Sequence, residues 1–131
     1  MNKVFLGGTC AETTWRDTLV NYIQVDYFNP VVDDWTEECQ SIEETQKSIN
    51  CNVHLYVITA EMIGVFSIAE AVNSSLEKGK ITIFHVIPDG FSKSQIKSLE
   101  ATCNLISRNG GISYIDNELM RTARVINFCF K

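Results

Sequence analysis

No stretch of this 131-residue chain is apolar for long enough to cross a membrane, which excludes a membrane-spanning helix. Lysine and arginine are scarce and unclustered, and the net charge is −5. A nucleic-acid polymer is therefore not an expected partner, because binding its phosphates requires a basic face. A nucleoside or small nucleotide is not excluded by the same argument. The five cysteines, Cys10, Cys39, Cys51, Cys103 and Cys129, form no CxxC pair and are odd in number. That argues against a disulfide framework and a structural zinc site, and for a reducing, cytoplasmic setting. Met1-Asn2-Lys3-Val4 leads straight into a strand pattern without a signal-peptide core. His54 and His85 fall inside strand patterns with no second ligand at useful spacing, so both read as packed structural residues and no metal or other cofactor is expected. Linkers, repeats and low-complexity tracts are also missing, so the chain reads as one domain.

What is present is an alternation of strand and helix patterns. Lys3–Leu6, Val25–Phe28, Val53–Ile58, Lys80–Ile87 and Ile112–Ile115 read as strands. Helices are expected over Thr14–Ile23, Glu37–Ile49, Ser67–Glu77, Ser92–Arg108 and Asn117–Phe130. Thr14 to Asp17 has the form of a capping box, and Thr36 is a candidate cap for the second helix. Asn29-Pro30 stops the second strand, since proline removes a ladder donor. The unbroken apolar run Val53–Ile58 suits a central strand covered on both faces. Such alternation predicts an α/β fold, a flavodoxin-like three-layer domain with a five-stranded parallel sheet in the order 2-1-3-4-5. A half-Rossmann order, 3-2-1-4-5, is the alternative.

In the first order, strands one and three are neighbours at the switch point, where ligands bind outside the strand ends. That brings the Gly7-Gly8-Thr9 loop to the segment Gly64-Val65-Phe66-Ser67-Ile68-Ala69-Glu70. The two segments would hold a small polar molecule against Glu70. Gly7, Gly8 and Thr9 would let backbone N–H groups approach a ligand, or simply form a tight turn. Arg16 can pair with a phosphate or a carboxylate near the loop. Asp33 and Asp34 follow the second strand, where a carboxylate can accept hydrogen bonds from a ribose or base. Trp15, Tyr56 and Phe66 are either stacking platforms or core. Ser67 to Glu70 is also a capping box, and that use competes with a role for Glu70 in chemistry. Cys10 shares the first glycine loop.

These segments together carry a resemblance. Phe5-Leu6-Gly7-Gly8-Thr9, Trp15-Arg16, Phe28-Asn29-Pro30 with Asp34-Trp35, and Gly64 through Glu70 resemble the nucleoside 2-deoxyribosyltransferase-like proteins over residues 3–87. In that family a strand-end glutamate attacks C1′ of a deoxynucleoside, forming a glycosyl-enzyme that a second base or water then resolves. The resemblance implies that Glu70 is the nucleophile. It also implies that Glu44 stands where relatives carry an acidic residue touching the substrate. Phe5 occupies the place of a common tyrosine, and Glu70-Ala71-Val72 replaces Glu-Leu-Gly. The acidic residue that commonly precedes the nucleophile is not matched at Gly64, with Glu61 the nearest substitute. The expected function is cleavage or exchange of the N-glycosidic bond of a (deoxy)nucleoside or its monophosphate. The alternative is a non-catalytic binding module for a nucleotide or nucleotide-derived signal. Relatives are commonly oligomers, and the final helix carries Phe128 off its Leu119, Ala123, Ile126 and Phe130 stripe, so a homodimer is expected.

Overall fold

A computed structural model describes residues 3–10, 13–32 and 36–130. Its elements follow the alternation: β1 (Lys3–Gly8), α1 (Trp15–Leu19), β2 (Asp26–Phe28), α2 (Glu37–Thr45), β3 (Val53–Ile58), α3 (Phe66–Ser75), β4 (Ile81–Val86), α4 (Lys93–Arg108), β5 (Ile112–Ile115) and α5 (Leu119–Cys129). All strand pairs are parallel and the sheet order is β2-β1-β3-β4-β5. The half-Rossmann alternative is thereby excluded.

Alternation along the strands divides the core. Val4, Leu6, Val53, Leu55, Val57 and Ile83 face α1 and α5, where they meet Trp15, Leu19, Ala123 and Ile126. Phe5, Tyr56, Ile58, Phe84 and Val86 face the other way, toward Ala71 of α3 and Leu99, Cys103 and Ile106 of α4. Every residue of β3 is buried, as a central strand between two helical layers requires. α2 buries no residue; it stands beside the sheet as a wall. Phe128 of α5 is 75% exposed, off the buried stripe of Ala123 and Ile126.

Several boundaries differ from the sequence reading, each for a local reason. β1 runs two residues further, because Gly7 and Gly8 pair in register with Tyr56 and Val57. α1 ends at Leu19, and Thr14 makes no side-chain cap because its backbone is not extended. Instead Trp15 and Arg16 anchor the helix to the carbonyls of Leu6, in β1, and Thr9, just after it. Thr36 does cap α2, accepting from Cys39 N–H. That helix then widens into one π-turn over Gln46–Asn50, closed by Cys51 N–H donating to Gln46 O at 2.8 Å. α3 starts one residue earlier than Ser67, so the expected Ser67–Glu70 capping box is not formed.

Both histidines are fully buried and hydrogen-bonded. His54 Nε2 lies 2.7 Å from the Lys47 carbonyl, which can only accept. The proton therefore sits on Nε2, and Nδ1 accepts from Ser74 Oγ, which in turn meets Thr82 Oγ1 at 2.6 Å. His85 repeats the arrangement, with Nε2 on Asp116 and Nδ1 on Thr122 Oγ1. Burial pushes both imidazoles below their ordinary value of 6.5. As pH falls through 6.5 the unfolded chain takes up protons that the native state refuses. Stability is thus complete above that value and is lost as pH drops below it. The urea midpoint should fall between about pH 7.5 and about pH 5.5, with a shallower slope in His85→Gln. A flat midpoint over that range in the wild-type protein would contradict the assignment.

Candidate functional site

The carboxyl ends of β1 and β3 open into a cleft of about 430 Å³, large enough for a nucleoside-sized molecule. Its floor is Phe5, Gly7 and Gly8 from β1. Ser67 and Glu70 of α3 form one side, and Glu43 and Glu44 of α2 form the other. Pro30, Val31 and Val32, after β2, close the end. Of the residues singled out in the sequence, Gly7, Gly8, Arg16, Glu44, Phe66, Ser67 and Glu70 all line this one cleft. Thr9 lines a smaller adjoining hollow of about 260 Å³. Asp33, Asp34 and Trp35 lie outside the described residues.

Two glycines make the floor, and their neighbours explain why. A side chain on Gly7 would meet the Tyr56 ring at 2.8 Å. Gly8 has φ of +108° and approaches the Val57 backbone too closely for any Cβ. Thr9 fastens the loop to the end of β3. Its N–H donates to Val57 O at 2.9 Å, and its Oγ1 accepts from Thr59 N–H at 2.9 Å.

Arg16 is buried beneath this loop. Its Nε donates to Leu6 O at 2.9 Å and its Nη1 to Thr9 O at 2.7 Å, with Nη2 nearer Gly8 O and Cys10 Sγ. Its guanidinium thus shapes the loop by collecting carbonyls, and burial lowers its pKa. Trp15 Nε1 adds a bond to Thr9 O at 3.0 Å, which makes Trp15 a core residue rather than a stacking surface. Tyr56 is likewise core, while Phe66 is 73% exposed at the cleft mouth, where an aromatic face can meet a base. Burial, followed by the charge of nearby Glu70, pushes the Tyr56 phenol far up, so it stays protonated. Its hydroxyl finds no hydrogen-bond partner among the described residues.

Glu70 lies on the first turns of α3 with its side chain 14% exposed. Ser67 Oγ donates to Gly8 O at 3.2 Å, stitching α3 to the glycine loop and leaving the Glu70 carboxylate turned elsewhere. Its Oε2 accepts from Lys47 Nζ at 2.6 Å. Lys47 also lies 3.5 Å from Glu44 Oε1, so one ammonium serves both Glu70 and Glu44. Burial opposes its charge, but the hydrogen bond and charge of Glu70, with Glu44 and Glu43, hold Lys47 above its ordinary value. Lys47 was not visible as a site residue in the sequence. Three residues after Glu44 on a polar helix, it has the spacing of an ordinary solvated ion pair.

Fold and cleft together define a doubly wound α/β architecture with a crevice at its switch point. A family model described as nucleoside 2-deoxyribosyltransferase like matches residues 1–88, and the chain belongs to that family. The matched segment carries β1 through β4 and every residue that lines the cleft. Neither curated proteins nor solved structures give a match.

Proposed function

We propose that the protein cleaves or exchanges the N-glycosidic bond of a (deoxy)nucleoside or its monophosphate, with Glu70 as nucleophile. The observation that carries this reading is a largely buried carboxylate at a nucleoside-sized cleft, with one oxygen tied to a cation. The ion pair engages one carboxylate oxygen and limits rotation of the group, which leaves the other oxygen to serve as the nucleophile. Glu70 attacks C1′ with its other oxygen. The C1′–N bond breaks, its electron pair goes to the base nitrogen, and the base takes a proton from solvent. A second base or water then attacks C1′, its displaced N–H or O–H proton passes to solvent, the ester bond breaks, and its pair returns to the Glu70 carboxylate. Gly7 and Gly8 present a flat floor beneath the sugar, Phe66 offers a stacking face, and Glu44 accepts hydrogen bonds from sugar or base. Ser67, Thr9 and Arg16 keep the floor in place.

Incubation with a panel of deoxynucleosides and their 5′-monophosphates, each with free acceptor bases, should give base exchange or base release by chromatography. No turnover of any member at high enzyme concentration would remove the proposal. A nucleotide that raises the melting temperature and is recovered intact would point instead to binding without catalysis.

A further inference from the structure

We propose that Lys47 is a positioning residue that keeps the Glu70 glycosyl ester short-lived; the inference rests on Glu70 being the nucleophile. The ammonium is held in place by more than its ion pair. Lys47 stands on the π-turn at the end of α2, a distortion common at functional sites. Its carbonyl accepts from His54 Nε2–H at 2.7 Å, and His54 is itself fixed by the buried Ser74 and Thr82 hydroxyls. The π-turn backbone at Lys47 is thereby pinned to β3, and Nζ reaches Glu70 at 2.6 Å and lies 5.5 Å from the Phe5 ring.

The electrostatic consequence follows from the charge balance of the two steps. When Glu70 Oε1 bonds C1′, the carboxylate becomes a neutral ester. Lys47, with a side chain only 14% exposed, then loses its 2.6 Å partner and keeps the weaker attraction of Glu44, at 3.5 Å and 64% exposed, and of Glu43. A mostly buried cation that loses its close counter-ion is destabilised. The covalent intermediate is therefore raised relative to the free enzyme. Its breakdown regenerates the anion directly beneath Nζ and is favoured by the same interaction. Lys47 thus slows ester formation somewhat and hastens ester breakdown.

Lys47→Met should reverse that balance. With the nucleoside that the wild-type protein turns over fastest, rapid-quench measurement of base release should show no burst for wild type. The variant should show a burst approaching one base per site, followed by slow turnover. The ratio of burst rate to steady-state rate should rise about 10- to 100-fold. Intact-protein mass should reveal the sugar adduct in the variant alone. Lys47→Arg should restore the wild-type pattern, which a merely structural role for the side chain would not require. Lys47→Gln, which keeps a donor without the charge, should behave as Lys47→Met and covers the case in which methionine does not fold. An active wild-type protein whose methionine and glutamine variants show neither burst nor adduct overturns the role of Lys47 alone. A wild-type protein that releases no base overturns the glycosyl-transfer reading, and the role of Lys47 falls with it.

Discussion

Glu70→Gln is expected to lower base exchange by about 10³-fold or more, because an amide cannot displace the base and form the glycosyl ester. The substitution is nearly isosteric, so the cleft should keep its shape. The amide oxygen of the variant would still accept from Lys47, while the charge–charge attraction of the 2.6 Å pair is lost. Breaking a buried pair outright costs about 3–5 kcal/mol, and the hydrogen bond that the amide keeps holds the cost to stability below that. Activity and stability should therefore separate. Circular dichroism should be unchanged and the urea midpoint only modestly lower, while turnover nearly disappears. A variant that retained about a tenth of wild-type activity would remove Glu70 from the nucleophile's role, whatever its stability. Glu44→Gln offers a contrast. Its side chain is 64% exposed and sits at the longer distance from Lys47, so its loss should affect substrate affinity more than the chemical step.

The layered sheet was legible in the sequence because strands buried on both faces cannot hide their composition. Val53–Ile58 has one histidine and one tyrosine in six residues, and the whole run is buried. The switch-point geometry followed from it, since a glycine pair at the end of the first strand and a helix start after the third must meet if those strands are neighbours. The cleft residues Gly7, Gly8, Phe66, Ser67 and Glu70 were legible for the same reason. What escaped was decided by contacts far apart in sequence. Ser67-Ile68-Ala69-Glu70 satisfies the capping pattern, yet Ser67 bonds a carbonyl 59 positions away and Glu70 an ammonium 23 positions away. Local pattern loses to those partners because each offers a stronger bond than the frayed first turn of a helix. Lys47 escaped because its position depends on the π-turn, which shifts the residues after Thr45 around the helix axis relative to an unbroken α-helix. The Lys47 carbonyl within that turn bonds His54, a contact that no helical periodicity carries. Arg16 was visible as a charged residue near the loop. Its use in gathering the carbonyls of Leu6, Gly8 and Thr9 depends on how β1 and α1 pack, which a single sequence does not state.

Gly8→Ala should be the most damaging small substitution in the floor of the cleft, and Gly79→Ala is its control. Both glycines have positive φ, +108° at Gly8 and +81° at Gly79, so alanine at either site suffers the backbone penalty of a left-handed residue. That penalty is about 1–2 kcal/mol. Gly79 has nothing within 4 Å of an added Cβ, so there the penalty is the whole effect. At Gly8 the Cβ would lie 2.1 Å from Val57 O, 2.6 Å from Val57 N and 2.9 Å from Val57 C. These are backbone atoms of the central strand, not the end of a flexible side chain. Relief requires β1 to move away from β3, and that movement would break the Thr9 N–H bond to Val57 O and disturb the Arg16 and Ser67 bonds to Gly8 O. The cost should exceed about 4 kcal/mol, a large share of the stability of a domain this size. Urea denaturation should therefore show Gly79→Ala shifted slightly and Gly8→Ala largely unfolded or with a collapsed midpoint. If the two variants differed by less than about 1 kcal/mol, the close approach of Gly8 to β3 could not be what holds the floor of the cleft.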